Sequence, residues 1–372
     1  MPKRTAKQTG TRRQCIEECA LVVACNLESD NPDVESRRVI ISNSADIQVL
    51  EERVARFIRF GKGSFEELLL AAHSFQRTAC ASYGAYCSNF AMPTSWYDIP
   101  AIPLAAFRQA PIRSFAPAKT LRSFRTSGTT GEGYGEHYFR TLELYRSAAL
   151  TGWQYAGLPQ GNLFCLMPCL DQAPYSSLSC MAGWLAARER FFQGEWDRLL
   201  EAVSAERKPL VLFGTALGLL NFFEWLGDRQ LELPSGSVAV ETGGYKGTNR
   251  SLPKSELYLS FQRHLGLDAN QIWNEYGMTE LSSQFYAQGL RNPHRGAAWV
   301  RARVIDPETG KESADGETGI LRVFDLANVG SCCVLQTRDL AIRRGADFEL
   351  IGRDPAALPR GCSRTADEIL RR

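Results

Sequence analysis

"PLVLFGTALGLLNFFEWLGDRQLELPSGSVAVETGG", residues 209–244, decides the fold. Its two ends, "PLVLFGT" and "SVAVETGG", are short apolar runs rich in valine and leucine, the pattern of strands covered on both faces. Between them, "TALGLLNFFEWLGD" repeats apolar residues at helical spacing and closes on a glycine. Strand, helix and strand in that order describe a crossover between parallel strands. "LFCLMP" upstream and "IWNEYGMTE" at 272–280 read as further strands, and "SELYLSFQRHLG" as a further helix. Residues 101–295 are therefore expected to form an α/β core with a largely parallel sheet.

On either side the texture changes. Residues 1–100 read as a helical N-terminal layer, with "IQVLEERVARFIRF" and "SFEELLLAAHSFQRTACASYGAYCSNF" close to the helical period. "WYDIPAIPLAAF" carries Pro100 and Pro103, which impose an extended connection into the core. Residues 296–352 alternate in short runs, "AAWVRARVID", "GILRVFDL" and "CCVLQTRDLAIRR", and read as a small antiparallel β-rich subdomain. Residues 353–372 read as a short polar tail ending in a helix.

Composition narrows the function classes. The chain has 372 residues, 44% hydrophobic and 23% charged, ordinary for a globular enzyme. A net charge of +2 from 43 basic and 41 acidic residues makes no electrostatic case for a nucleic-acid partner. No apolar run approaches the ~18 residues that a membrane span needs, and "MPKRTAKQTGTRR" lacks the apolar block of a secretory signal. A cytoplasmic location without membrane insertion is expected. The 11 cysteines include no C-x-x-C pair, which reads as small buried hydrophobes rather than a zinc site. Four histidines leave little room for a histidine-based triad or metal site.

Five stretches bear chemistry. "SGTTG" offers hydroxyls at Ser127, Thr129 and Thr130 and close backbone approach at Gly128 and Gly131, suited to phosphate oxygens. It has no Walker lysine, and the same composition also makes a plain hairpin turn. "ETGGYKG" follows a strand, so Gly243 and Gly244 sit where open α/β sheets bind ligands, and Lys246 is either solvated or aimed at phosphates. "YGMTE" places Gly277, Thr279 and Glu280 after another strand; a lone carboxylate there suits magnesium when phosphates supply further oxygens, and Tyr276 can stack on a base. Asp339 in "QTRD" can accept from ribose hydroxyls, and Arg353 follows the last strand. A candidate acyl-pocket wall runs through "MPCLDQAPYSSLSCMAGW", residues 167–184; His137 could be a pocket residue, but a single histidine in a polar stretch reads more readily as solvated.

In this order and spacing the five stretches resemble the adenylate-forming superfamily of acyl-CoA synthetases and adenylation domains. "DIPAIPLAAF", "GGYK" at 243–246 and "RGCS" at 360–363 are most similar to the acyl-protein synthetases of bacterial luminescence, the luciferin-component ligases. The resemblance spans about residues 95–364. It implies ATP and Mg2+ as cofactors, a carboxylic acid substrate such as a fatty acid, an acyl-adenylate with release of pyrophosphate, and acyl transfer to a thiol. By match, Ser127, Gly128, Thr129, Thr130 and Gly131 hold phosphates, Gly243, Gly244 and Tyr245 the adenine, Tyr276 the base, Glu280 the metal and Asp339 the ribose.

The sequence departs from acyl-CoA synthetases at the C-terminal end, where their lid subdomain supplies a lysine that assists adenylation. No counterpart is expected here; Lys246, Arg353 or a residue lent by a partner is left to neutralise the α-phosphate, with Lys246 preferred. Cys362, flanked by Arg360 and Arg364 ahead of a Thr365/Glu368 capping box, has physical routes to a thiolate. The resemblance makes it the acyl carrier, delivering to a partner protein. Two alternatives stay open: a stand-alone ligase serving a small amine, a carrier-protein thiol or CoA in biosynthesis, and a nucleotide-binding scaffold subunit without turnover.

Overall fold

In the computed structural model the described residues are 45–126, 134–243 and 252–353. The chain divides into two units, Met1–Ala45, of which all but Ala45 lies outside the described residues, and Asp46–Arg372, which carries everything below.

Six strands make the central sheet, in the order β4 (Leu163–Leu166), β5 (Val211–Thr215), β6 (Val238–Thr242), β7 (Ile272–Tyr276), β8 (Phe285–Gln288) and β9 (Arg295–Gly296). β4 through β7 run parallel, and β8 and β9 turn antiparallel. Every residue of β4, β6 and β7 is buried, as a sheet layered on both faces requires. Side chains alternate between the faces. Val211, Phe213, Val238, Val240 and Trp273 pack toward helices Glu143–Tyr155 and Ser177–Leu185. Leu212, Ala239 and Ile272 pack toward helices Ala216–Leu226 and Lys254–Leu265. Thr215 caps its helix by accepting from the Gly218 amide at 3.0 Å, and Ser176 caps another by accepting from Ser179 at 3.0 Å.

A second sheet holds β1 (Ile102–Pro103), β10 (Val300–Ile305), β11 (Thr318–Asp325), β12 (Val334–Arg344) and β13 (Asp347–Arg353). β10 to β13 form an antiparallel meander. β12 is long enough to share one edge between two partners: β1 joins in parallel at Leu335 and Gln336, and β13 pairs from Asp339 to Arg344. β1 lies within the proline-rich connection, so that segment enters the core as a strand. β2 (Arg122–Arg125) and β3 (Glu136–Phe139) form a separate antiparallel hairpin.

The N-terminal helical layer comprises Ala45–Phe60, Phe65–Ala79 and Ala81–Cys87, the last two broken at Cys80, whose backbone is extended. Gln76, fully buried, fixes this layer to the β11–β12 connection. Its amide donates to the carbonyls of Asn328 at 2.9 Å and Val329 at 3.1 Å, and its oxygen accepts from the Cys333 amide at 3.1 Å. Cys80, Cys87, Cys165, Cys169, Cys180, Cys332 and Cys333 are buried free thiols, and burial pushes Cys165 up to about 12.

Candidate active site

The carboxyl ends of β6 and β7 lie side by side, with Thr242 and Glu275 in register. Parallel α/β sheets bind ligands outside this edge. The Thr242 hydroxyl donates to Glu275 Oε2. The other carboxylate oxygen occupies the space that a Cβ on Gly277 would fill; glycine there lets Glu275 fold back over its own chain. At the end of β6, Gly243 takes φ +70°, a conformation that costs glycine nothing and turns the chain out of the sheet. Alternation directs Thr242 and Glu275 to the face covered by helix Ser177–Leu185, which belongs to the 167–184 stretch. The Tyr286 hydroxyl is buried without a hydrogen-bond partner among the described residues, and burial first, the Glu275 charge second, raises its pKa.

On the opposite face Glu241 is 3% exposed. Burial pushes its carboxyl up to about 7, against the pull of Lys254 and with a further push from Glu275. Lys254 is itself lowered by burial, while Glu241 and Glu349 pull it back up. His294 shares a 2.6 Å hydrogen bond between Nε2 and Asn274 Oδ1, and burial, reinforced by the Lys254 charge, holds it down at about 3.

Tyr276 links the two sheets. Its hydroxyl donates to Asp339 Oδ2 at 2.7 Å, and both residues are buried. The ring meets Phe348 edge to face at 5.5 Å and lies in the core beside Phe285. The residue expected to stack on a base thus spends its hydroxyl on the residue expected to hold the ribose. Arg353 sits opposite Asp339 in the β12–β13 ladder.

The loop after β7 is docked on the hairpin. Where the two strands lead into their connection, the Thr126 amide donates to the Gly135 carbonyl and the Gly135 amide to Thr126 Oγ1, both at 2.9 Å. Arg125 pairs with Glu136 at 2.7 Å and lies 3.9 Å over the Tyr175 ring. The Tyr138 hydroxyl at 2.6 Å, then Arg125, holds the Glu136 carboxyl below its ordinary value. The Thr279 hydroxyl donates to the Arg125 carbonyl at 3.4 Å, and the Thr279 carbonyl accepts from His137 Nδ1 at 2.8 Å. His137 also meets Ser331 Oγ at 2.8 Å through Nε2. It is 2% exposed, not solvated as its polar neighbours imply, and burial holds it down at about 4.

Asn328 and Asp325 complete the support. Asn328 Nδ2 donates to the Glu280 carbonyl at 2.8 Å, and its Oδ1 accepts from the Ser282 hydroxyl at 2.6 Å. Asp325 accepts from the Ser282 amide, the Ser283 amide and the Ser283 hydroxyl. Among the described residues no group of three or more histidines, cysteines and acids is placed to hold a metal ion. Glu280 carries its carboxylate on a backbone so held, and a carboxylate is the type of oxygen ligand that magnesium takes alongside phosphate oxygens.

Of the residues singled out in the sequence, the structure brings Thr279 to the hairpin, the Glu280 carbonyl to Asn328, Tyr276 to Asp339, and Gly243 to the strand end where Thr242 pairs with Glu275. Ser127, Gly128, Thr129, Thr130, Gly131, Gly244, Tyr245, Lys246 and Cys362 lie outside the described residues. His137, Glu275, Asp325 and Asn328 were not legible as site residues. Only Asp325 had a local signal, as a cap that accepts from Ala327 two residues on at 2.9 Å.

Comparison with known proteins bears on the family and the fold. The family model for "Acyl-protein synthetase, LuxE" matches residues 176–370, more than half of the chain. A long-chain-fatty-acid–luciferin-component ligase of Aliivibrio fischeri is 24% identical over 183 residues, covering 46% of this chain and 48% of the relative. One of Vibrio harveyi is 26% identical over 145 residues, 37% of each. The matched region thus spans half or less of these relatives' length. Among solved structures, 2-hydroxyisobutyryl-CoA ligase in an open conformation superposes with TM-score 0.57 at 13% identity, over 79% of this chain and 76% of that one. Its postadenylation state gives 0.55 at 12% identity, over 77% of this chain and 67% of that one. The chain therefore has the adenylate-forming fold. Among the described residues no helix is long and apolar enough to cross a membrane.

Proposed function

This chain belongs to the acyl-protein synthetase (LuxE) family, and from that premise we propose that it is an acid–thiol ligase, which activates a carboxylic acid with ATP and passes the acyl group to a thiol. One carboxylate oxygen of the acid attacks the α-phosphorus and pyrophosphate leaves. The thiolate then attacks the acyl carbonyl of the adenylate and AMP leaves. Cys362 is the first acyl carrier in this reading, and a partner protein takes the acyl group from it. The acid lies on the sheet face of Thr242 and Glu275, walled by residues 167–184. Tyr276 and Asp339 bound the nucleoside, with Gly243, Gly244 and Tyr245 on the adenine and Arg353 nearby.

Glu280 is the residue to hold Mg2+, which would neutralise phosphate charge. Lys246 does the same from the protein side, and Ser127 to Gly131 donate hydrogen bonds to the phosphate oxygens, so catalysis is mainly positioning and charge stabilisation. The observation that carries this reading is the docking of the Thr279–Glu280 loop on the base of the hairpin that bears "SGTTG". Family membership supplies the chemistry.

The test mixes the protein with ATP, Mg2+ and a panel of carboxylic acids that includes long-chain fatty acids. Acid-dependent pyrophosphate release with a matching acyl mass shift on the protein is the expected result. Absence of pyrophosphate with every acid, with and without cell extract as acceptor, overturns acid activation. Acylation that persists in Cys362→Ser overturns the carrier role alone.

A further inference from the structure

Two successive carbonyls, those of Thr279 and Glu280, are each pinned by a buried side chain. The peptide planes on both sides of the Glu280 Cα are thereby fixed, and with them the direction of its Cα–Cβ bond. Asn328 holds one plane and His137 the other. The two belong to one circuit, because the Ser331 amide donates to the Asn328 carbonyl at 3.0 Å while Ser331 Oγ meets His137 Nε2. Ser331 is anchored in turn by Ser114, whose hydroxyl donates to the Ser331 carbonyl at 3.1 Å and whose amide donates to the Gly330 carbonyl at 2.8 Å.

The tautomer follows from the partners. A carbonyl only accepts, so His137 carries its proton on Nδ1 toward Thr279, and Nε2 receives the Ser331 hydroxyl. The imidazole sits on β3, opposite Phe124 of β2, with Phe107 edge to face at 5.6 Å and Phe139 at 4.2 Å. Packed on those rings and held at both nitrogens, it has one orientation. It ties the hairpin, the loop after β7 and the β11–β12 connection together at a single point.

We propose that His137 is a positioning residue for metal-dependent nucleotide binding, acting through the Thr279 carbonyl to aim the Glu280 carboxylate relative to the β2–β3 hairpin. The inference rests on the reading of the chain as an ATP-dependent ligase with its metal at Glu280. It separates His137 from a plain core residue, because its effect is transmitted through one nitrogen and only when metal is present.

Two near-isosteres separate the nitrogens. The Asn amide nitrogen falls near Nδ1 and keeps the Thr279 contact, whereas the Gln amide falls near Nε2 and keeps only that to Ser331. Dissociation constants for ATP are measured by calorimetry with Mg2+ and with chelator, without acid substrate. His137→Asn is expected to stay within about threefold of the parent for MgATP and His137→Gln to weaken it about tenfold, a lost buried hydrogen bond's worth. Metal-free ATP is expected to bind all three alike.

Equal weakening by the two substitutions, or equal weakening of metal-free ATP, overturns the proposal. Should neither variant fold, Ser331→Ala removes only the Nε2 partner and leaves the Nδ1 contact to Thr279; MgATP binding within about threefold of the parent supports transmission through Nδ1, and weakening of about tenfold overturns it. A parent that binds MgATP without acid-dependent pyrophosphate release sinks the acid-activation reading yet leaves the His137 comparison intact. A parent that does not bind MgATP sinks both.

Discussion

The Tyr276 hydroxyl lies 2.7 Å from Asp339 Oδ2 and joins the last parallel strand of the central sheet to the longest strand of the second. Tyr276→Phe deletes one donor to a buried carboxylate without changing the ring. A stability loss of about 1–3 kcal/mol in urea denaturation is expected, with KM for ATP rising more than KM for the acid. A rise confined to the acid would break the assignment of this pair to the nucleoside.

Gly277→Ala places a methyl where the Glu275 carboxylate oxygen sits. The carboxylate must swing away and release Thr242. A fall in kcat/KM of roughly tenfold or more is expected, and steady-state kinetics with the preferred acid would read it. Unchanged kinetics would mean that this edge of the sheet lies away from the chemistry.

Gln76→Ala orphans the Val329 carbonyl and the Cys333 amide of the β11–β12 connection and leaves the Asn328 carbonyl only the Ser331 amide. The expected cost is on the order of 2–5 kcal/mol, from several unmet polar groups. Gln76→Glu retains the acceptor for Cys333 but puts an oxygen against both carbonyls, so it should rescue little. Thermal melts of the two variants decide the matter.

Glu241 is raised to about 7 in the fold from 4.5. The folded state therefore holds more protons than the unfolded between those values, and the stability this group contributes is lost as pH rises toward 7. Glu241→Gln should gain on the parent across that window and hold its advantage above it. His73, His137 and His294 act oppositely, being lowered from 6.5 to about 4, about 4 and about 3. Their contribution is present above 6.5 and is lost as pH falls through those lower values. Urea titrations at stepped pH would show Glu241→Gln running parallel to the parent if the carboxyl titrates normally.

The strands that read clearly from sequence are those buried on both faces. "LFCLMP", "PLVLFGT" and "SVAVETGG" became β4, β5 and β6 because continuous apolar runs have few other places to go. β1 was unreadable, being two residues, the second a proline, that are a strand only because Leu335 and Gln336 lie beside them. His137 shows the same limit at the site. The groups that bury and bind it come from Thr279 and Ser331, the latter 194 positions away, so its polar neighbours at Glu136 and Gly135 gave the opposite impression. Hydroxyl, glycine and carboxylate motifs announce themselves locally, whereas the residues that aim them are recruited from elsewhere in the fold.

The shared edge of β12 has one more outcome. With β1 covering its first half, β13 must pair with the second half, and that pairing delivers Arg353 opposite Asp339. Whatever follows Arg353 is thus leashed to the spot where the nucleoside is proposed to sit. Even fully stretched, the chain cannot carry Cys362 more than ~30 Å from that anchor. In the proposed reaction a thiol so leashed would have an effective concentration of roughly the millimolar range, set by covalent connection rather than by affinity, so a free thiol would have to reach a comparable concentration to compete for the acyl group.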